Sequence, residues 1–330
     1  MGLRAALGDW IEEVGRDLWR ARLPLSLRAE LIAGVMSRSA GSAAMRRMAN
    51  GVAAGGTRAL LSDPVTAHAL IAALQARGAR PILIVGDSHS RLYVHRDRRG
   101  GRWLLPLHRL ATGASARGLA KASSRSGQGD VVRALVERLA TGSASIPVLL
   151  VFGQVDVEFV FTFKRLEQDP PADHDARVFE DFCRETVDAY VTFAGGLPGP
   201  PVAVAAIFPP ALSDEAWRQG YLNAHIAHEH TALGAEALRE RLQAARVEPL
   251  KARTADHELF NRRLRCAAEA RGLGWVDTFA ALIGEGGVAR GLGPAAGRDH
   301  HLDASAVRPA VVPQLWALLD ASPQTRPAHG

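Results

Sequence analysis

The sequence predicts a three-layer α/β/α sandwich built on a flavodoxin-like parallel sheet of about five strands, preceded by a helical N-terminal extension. Three observations carry this. Short apolar runs without polar alternation recur after residue 80, as expected of strands buried on both faces. Segments with helical spacing separate those runs, so the strands need crossover connections and lie mainly parallel. Residues 1–78 carry helical patterning throughout, which puts the extension at 1–78 and the α/β domain at 79–330.

At the N-terminus, Leu3, Leu7, Trp10, Ile11, Val14 and Leu18 recur on one helical face, expected to pack on the body of the protein. Pro24 ends that helix. Residues 29–36 and 43–53 continue in the same style, and Gly55-Gly56 is expected to break the run. Pro64 opens a further helix as far as Arg77, and Gly78 follows where a helix-ending glycine is favoured. Strands are predicted at 81–85, 103–107, 147–152, 202–208 and 273–276. Helices are predicted at 131–139, 179–193 and 306–319, with a long polar helical region over 214–270. Residues 91–96 are expected to begin the helix after the first strand.

The composition is that of a globular protein, 47% hydrophobic and 22% charged in 330 residues. The net charge of +6 and pI near 10.0 raise the question of an anionic partner. The arginines are scattered, however, and no RNP, zinc-finger or basic-helix motif is present, so a nucleic-acid partner is not expected. Cys183 and Cys266 lack metal or redox spacing and are expected to be free thiols. No run approaches the ~20 apolar residues that span a bilayer. With no signal-peptide core and with acids at Asp9, Glu12, Glu13 and Asp17, a cytoplasmic location is expected.

Chemistry is expected where strands end. Gly86-Asp87-Ser88-His89 closes the first strand, and a tight turn there lifts Ser88 to the carboxyl edge of the sheet, where ligands of open α/β sheets bind. A serine so placed serves as a nucleophile if a base lies near, or as a helix cap if none does. Gly113 follows the second strand, Gly153-Gln154-Val155-Asp156 the third, and Phe208-Pro209-Pro210 the fourth. Arg298-Asp299-His300-His301 precedes the last helix. His225, His228 and His230 have an H-x-x-H-x-H spacing, but helical geometry does not put His228 and His230 on one face, so no metal site is expected there.

This ordered series resembles the SGNH/GDSL hydrolase family over about residues 80–322. That family carries its nucleophile in a Gly-Asp-Ser segment, a glycine after the second strand, Gly-x-Asn-Asp after the third, and Asp-x-x-His near the C-terminus. The resemblance implies acyl-ester chemistry by a hydrolase or O-acyltransferase, with a small-molecule or carbohydrate ester as substrate and no cofactor. It implies Ser88 as nucleophile, His301 or else His300 as base, and Asp299 as its orienting acid. The oxyanion donors would be the N–H groups of Ser88 and Gly113, helped by Gln154. Asp87, His89, Asp156, Pro209 and Pro210 would line the substrate edge. Two positions depart from the pattern: Val155 stands where the family has Asn, and Asp299 is two residues before His301 rather than three. These departures keep a second class open, a binding or scaffold protein that retains the fold. The basic charge keeps a third open, a binder of nucleic acid or an anionic membrane surface. The N-terminal helices offer a surface for a second copy of the chain.

Overall fold

The computed structural model describes residues 3–38, 41–121, 124, 127–142, 145–221, 224–245, 248–284, 287–288, 292 and 299–321. Four helices come first: α1 (Leu3–Asp17), α2 (Leu25–Met36), α3 (Ala43–Ser62) and α4 (Pro64–Gln75). Strand β1 (Ala79–Gly86) leads into a 3-10 turn over Ser88–Tyr93, then β2 (Arg98–Arg99) and β3 (Arg102–Leu110). Helices α5 (Ala116–Leu119) and α6 (Gln128–Ala140) lead to β4 (Val148–Val151). A π-turn over Asp156–Val160 continues into α7 (Phe161–Leu166), then α8 (Ala176–Gly195) and β5 (Val202–Ala205). Helices α9 (Asp214–Arg218), α10 (Ala224–His230), α11 (Ala235–Ala244) and α12 (Leu250–Ala270) precede β6 (Gly274–Val276). A two-stranded ribbon, β7 (Ile283–Gly284) with β8 (Gly287–Val288), and α13 (Ala304–Ala321) complete the described chain.

The main sheet runs β2-β3-β1-β4-β5-β6, and every pairing is parallel except β2 with β3. The five parallel strands match the sequence reading in identity and order. The short antiparallel edge β2 was not anticipated, because two exposed arginines carry no apolar signal. Side chains alternate across the sheet. Leu83, Val85, Leu105, Leu107, Val148 and Leu150 point into one core, shared with the N-terminal helices and with α6, α8 and α12. Ile82, Ile84, Leu104, Leu149 and Val151 point into the other, closed by Val307, Val311, Leu315 and Trp316 of α13. Helices therefore cover both faces, as an all-buried parallel sheet requires. Among the described residues no helix is long and apolar enough to cross a membrane.

Four local expectations are corrected. Helix α3 runs straight through Gly55-Gly56, because Gly55 lets its backbone touch α1 and Gly56 leaves room for Leu107 and the Trp19 ring. A Cβ at Gly51 would lie 1.9 Å from the Glu12 carbonyl oxygen, and one at Gly55 would lie 2.6 Å from that of Arg16. The same contact leaves part of the α1 stripe outside: Leu7 and Trp10 are 54% and 64% exposed, while Ile11, Val14 and Leu18 are half-buried and Gly8 and Gly15 are buried. The polar region 214–270 is four helices, broken near Gly220, Gly234 and Pro249. Strand β5 stops at Ala205 because side chains take over its backbone. Asn261 accepts from Ile207 N at 2.8 Å and donates to Ile207 O at 3.0 Å, and Gln154 accepts from Phe208 N at 2.8 Å.

Two measurements check this packing. Gly51→Ala forces the α1–α3 contact apart and is expected to lower stability by about 1–3 kcal/mol in urea denaturation; an unchanged midpoint would contradict the close approach. The second is acid sensitivity. Burial pushes His95 down to about 4, and His108 and His257 down to about 3. In the unfolded chain they take up protons near an ordinary value of about 6.5. Below about pH 6.5 the unfolded state thus binds more protons, and stability falls as pH falls, by ~1 kcal/mol per unit for each group. A urea midpoint that stays level between about pH 7 and 5 would refute this.

Candidate active site

The site begins at the end of β1. A Cβ at Gly86 would lie 2.2 Å from the Val151 carbonyl oxygen, so only glycine lets the chain leave the sheet there. Asp87 then caps the 3-10 turn, its Oδ1 accepting from His89 N at 2.8 Å. Ser90 Oγ donates to the Asp87 carbonyl at 2.6 Å and meets Nε2 of His108 on β3 at 2.8 Å. The helix expected over 91–96 is therefore a short turn ending at Tyr93, anchored sideways to β3. Between these fixed neighbours Ser88 is left half-buried at the rim.

From the other end of the chain, His301 reaches the same rim. Its Nε2 lies 2.7 Å from Ser88 Oγ. Its Nδ1 lies 2.9 Å from Asp299 Oδ1, and its backbone N–H also donates to that oxygen at 3.2 Å. The Asp-x-His spacing thus suffices, because the acid folds back over one residue. Burial, then the neighbouring His89 imidazole, hold His301 below its ordinary range. That favours the neutral ring, whose Nε2 lone pair accepts a proton.

His300 points elsewhere. Its Nδ1 lies 2.6 Å from the Tyr221 hydroxyl, its ring packs edge-on against Phe159, and burial pushes it down to about 2. It is buried behind His301, the rings 3.8 Å apart, and does not reach Ser88 as a base. Arg298 lies outside the described residues, as does the side chain of His225.

The loops after β3 and β4 are tied together by Asp156. Its Oδ2 accepts from Ala116 N at 2.6 Å and its Oδ1 from Arg117 N at 3.3 Å. Burial raises its pKa while those N–H groups oppose the rise. Gly113 sits in the loop so held, next to the end of β1, and its carbonyl accepts from His230 Nε2 at 2.7 Å. His230 is thereby a tether of this loop; the H-x-x-H-x-H spacing drew attention to it for a different reason. Val155 is buried in the core and offers nothing to the rim.

Several expected side chains are withdrawn from the rim. Gln154 does not face the rim: its Oε1 holds Phe208 N, and its Nε2 donates to Glu158 Oε2 at 3.3 Å. Asp87, His89, Asp156, Pro209 and Pro210 are all buried, so they form the floor behind the site and line no open cleft. Burial opposes charge on His89, but the Asp87 carboxylate at 3.0 Å outweighs it and raises His89 above its ordinary range. Burial raises Glu158 as well. Tyr221 was missed, since a lone tyrosine in a polar stretch gives no sequence signal. Among the described residues, His89, His300 and His301 are the group of three with metal-ligating atoms close together.

Asp156→Ala leaves the buried N–H groups of Ala116 and Arg117 without their acceptor. A loss of about 3 kcal/mol in urea denaturation is expected, against a smaller loss for Asp156→Asn; equal stability of all three chains would show that the tie carries nothing.

No protein-family model matches the chain, and no curated protein matches it in sequence. Solved structures do match. A GDSL-like lipase from Bacteroides thetaiotaomicron VPI-5482 is 13% identical over 73% of this chain and 89% of its own, with a TM-score of 0.37. An extracellular lipase from Streptomyces rimosus is 13% identical over 72% of this chain and 99% of its own, also with a TM-score of 0.37.

Proposed function

We propose that the chain is a serine-dependent acyl-ester hydrolase. Ser88 is the nucleophile, His301 the general base and Asp299 the acid that orients it. The observation that carries this reading is the 2.7 Å contact between Ser88 Oγ and His301 Nε2, with Asp299 on the opposite ring nitrogen. Ser88 Oγ attacks the carbonyl carbon of the ester as its proton passes to Nε2. The carbonyl π electrons move onto oxygen to give a tetrahedral oxyanion. When that collapses, the C–O bond to the alcohol breaks and Nε2–H returns the proton to the leaving oxygen. Water then repeats the sequence on the acyl-serine and releases the acid.

The N–H groups of Ser88 and Gly113 are the donors proposed for the oxyanion. Among the described residues neither Val155, which is in the core, nor Gln154, which is engaged elsewhere, joins them. A missing donor costs about 2.7–4 kcal/mol in the transition state, so turnover is expected to be slow. Transfer to a sugar hydroxyl in place of water, and a carbohydrate ester as donor, follow from the resemblance alone.

A fluorophosphonate probe and a short-chain p-nitrophenyl ester test the reading. Wild type is expected to label and hydrolyse, and Ser88→Ala to do neither. Asp299→Asn is expected to lower kcat about 10²–10⁴-fold with a smaller change in KM, because the wrong imidazole tautomer then faces the serine. A folded wild-type chain that neither labels nor hydrolyses would make this a binding protein on a hydrolase scaffold.

A further inference from the structure

Three imidazoles meet behind the serine. The ring centroids of His89 and His300 are 5.3 Å apart, those of His89 and His301 4.9 Å, and those of His300 and His301 3.8 Å. Each ring offers a nitrogen within 4.8 Å of the other two. In each, Nδ1 is held by an oxygen: the Asp87 carboxylate at 3.0 Å for His89, the Tyr221 hydroxyl at 2.6 Å for His300, and the Asp299 carboxylate at 2.9 Å for His301. Histidines that bind metals are oriented in this way, one nitrogen held by an outer oxygen and the other left for the ion. Here Nε2 of His89 and of His300 are buried with no hydrogen-bond partner. Two buried ring nitrogens without a partner need an explanation, and a shared ligand supplies one.

We infer that His89, His300 and His301 form a three-imidazole site for a divalent transition-metal ion of the zinc type. Imidazole donors suit zinc, copper and nickel, whereas magnesium and calcium prefer oxygen. Three nitrogens on one tetrahedral ion, each ~2.0–2.1 Å from it, lie ~3.4 Å from one another. The rings must therefore draw in by about 1 Å, and His301, with its side chain 32% exposed, has the room to move. The fourth position is left to water. An ion on Nε2 of His301 occupies the lone pair that takes the Ser88 proton, so the metal inhibits acyl transfer. Binding stands on the three rings alone; the inhibition rests on the reading of Ser88 and His301 given above.

The test titrates the metal-stripped full chain with Zn²⁺ in competition with a chromogenic chelator. One Zn²⁺ per chain is expected, with no displacement by Mg²⁺ or Ca²⁺. His300→Gln is expected to weaken binding at least about 10-fold, and Tyr221→Phe, which frees Nδ1 of His300, by about 10-fold. No binding to wild type up to about 1 mM Zn²⁺ overturns the site. Binding unchanged in both folded variants does so too, by assigning the metal to surface histidines. In parallel, Zn²⁺ is expected to slow fluorophosphonate labelling of Ser88 at least about 10-fold, and a chelator to restore it. Binding without slower labelling overturns the inhibitory role. A chain that never labels, with or without zinc, overturns the hydrolase reading while the titration still decides the metal site.

Discussion

One contact, between a hydroxyl at the end of β1 and an imidazole 213 residues later, depends on nearly everything else in the molecule. Neither partner is held by the other alone. Ser88 is placed because Gly86 lets the chain leave the sheet against Val151, and because Asp87 and Ser90 pin the following turn to itself and to β3. His301 is placed because Leu302 and the apolar face of α13 pack on Ile82, Ile84 and Leu104, beneath the same sheet edge. The hydrophobic core on that side therefore sets a polar distance. Since α13 supplies most of the cover there, its burial and the geometry of the His301–Ser88 contact are one constraint.

Behind the rim lies a layer of polar side chains whose groups are spent on the backbone. Asn261, Gln154, His257 and Asp156 satisfy the loops at the ends of β5 and β3. Strands that stop inside a protein leave N–H and C=O groups that are costly to bury unpaired. These side chains meet that need, and their polar groups are for that reason turned to the backbone and away from the rim. The outcome is a rim at which Ser88 and His301 stay half-buried, with a hydrogen-bonded floor behind them. Within that floor the rings of His89 and His300 each keep one nitrogen unused, and Asp87 Oδ2 and Glu158 Oε1 are likewise buried without a partner.

The N-terminal helices share the core on the opposite face of the sheet. Glycines bring α1 against α3 at backbone contact, and Trp19 Nε1 donates to the Val52 carbonyl at 2.7 Å. Thr57 donates to the His108 carbonyl on β3 at 3.0 Å, so α3 is fastened to the strand whose far end carries the Gly113 loop. Packing through small residues leaves Leu7 and Trp10 of α1 facing solvent.

By itself the amino-acid sequence determined the layer order, the identity of the parallel strands and the point where the first strand surrenders Ser88. Apolar runs and glycines are local signals, and a run buried on both faces has little choice of structure. It also brought Asp299, His300 and His301 to attention together, but adjacent histidines point in different directions and no local rule chooses between them. Tertiary structure made that choice, turning His300 onto Tyr221 and Phe159 and leaving His301 for the serine. It decided likewise that Gln154 holds Phe208, that Gly55-Gly56 marks a helix contact in place of a break, and that Tyr221 belongs to the site. Each of these depends on which distant backbone lies within ~3 Å of a given side chain, a fact no spacing along the chain contains.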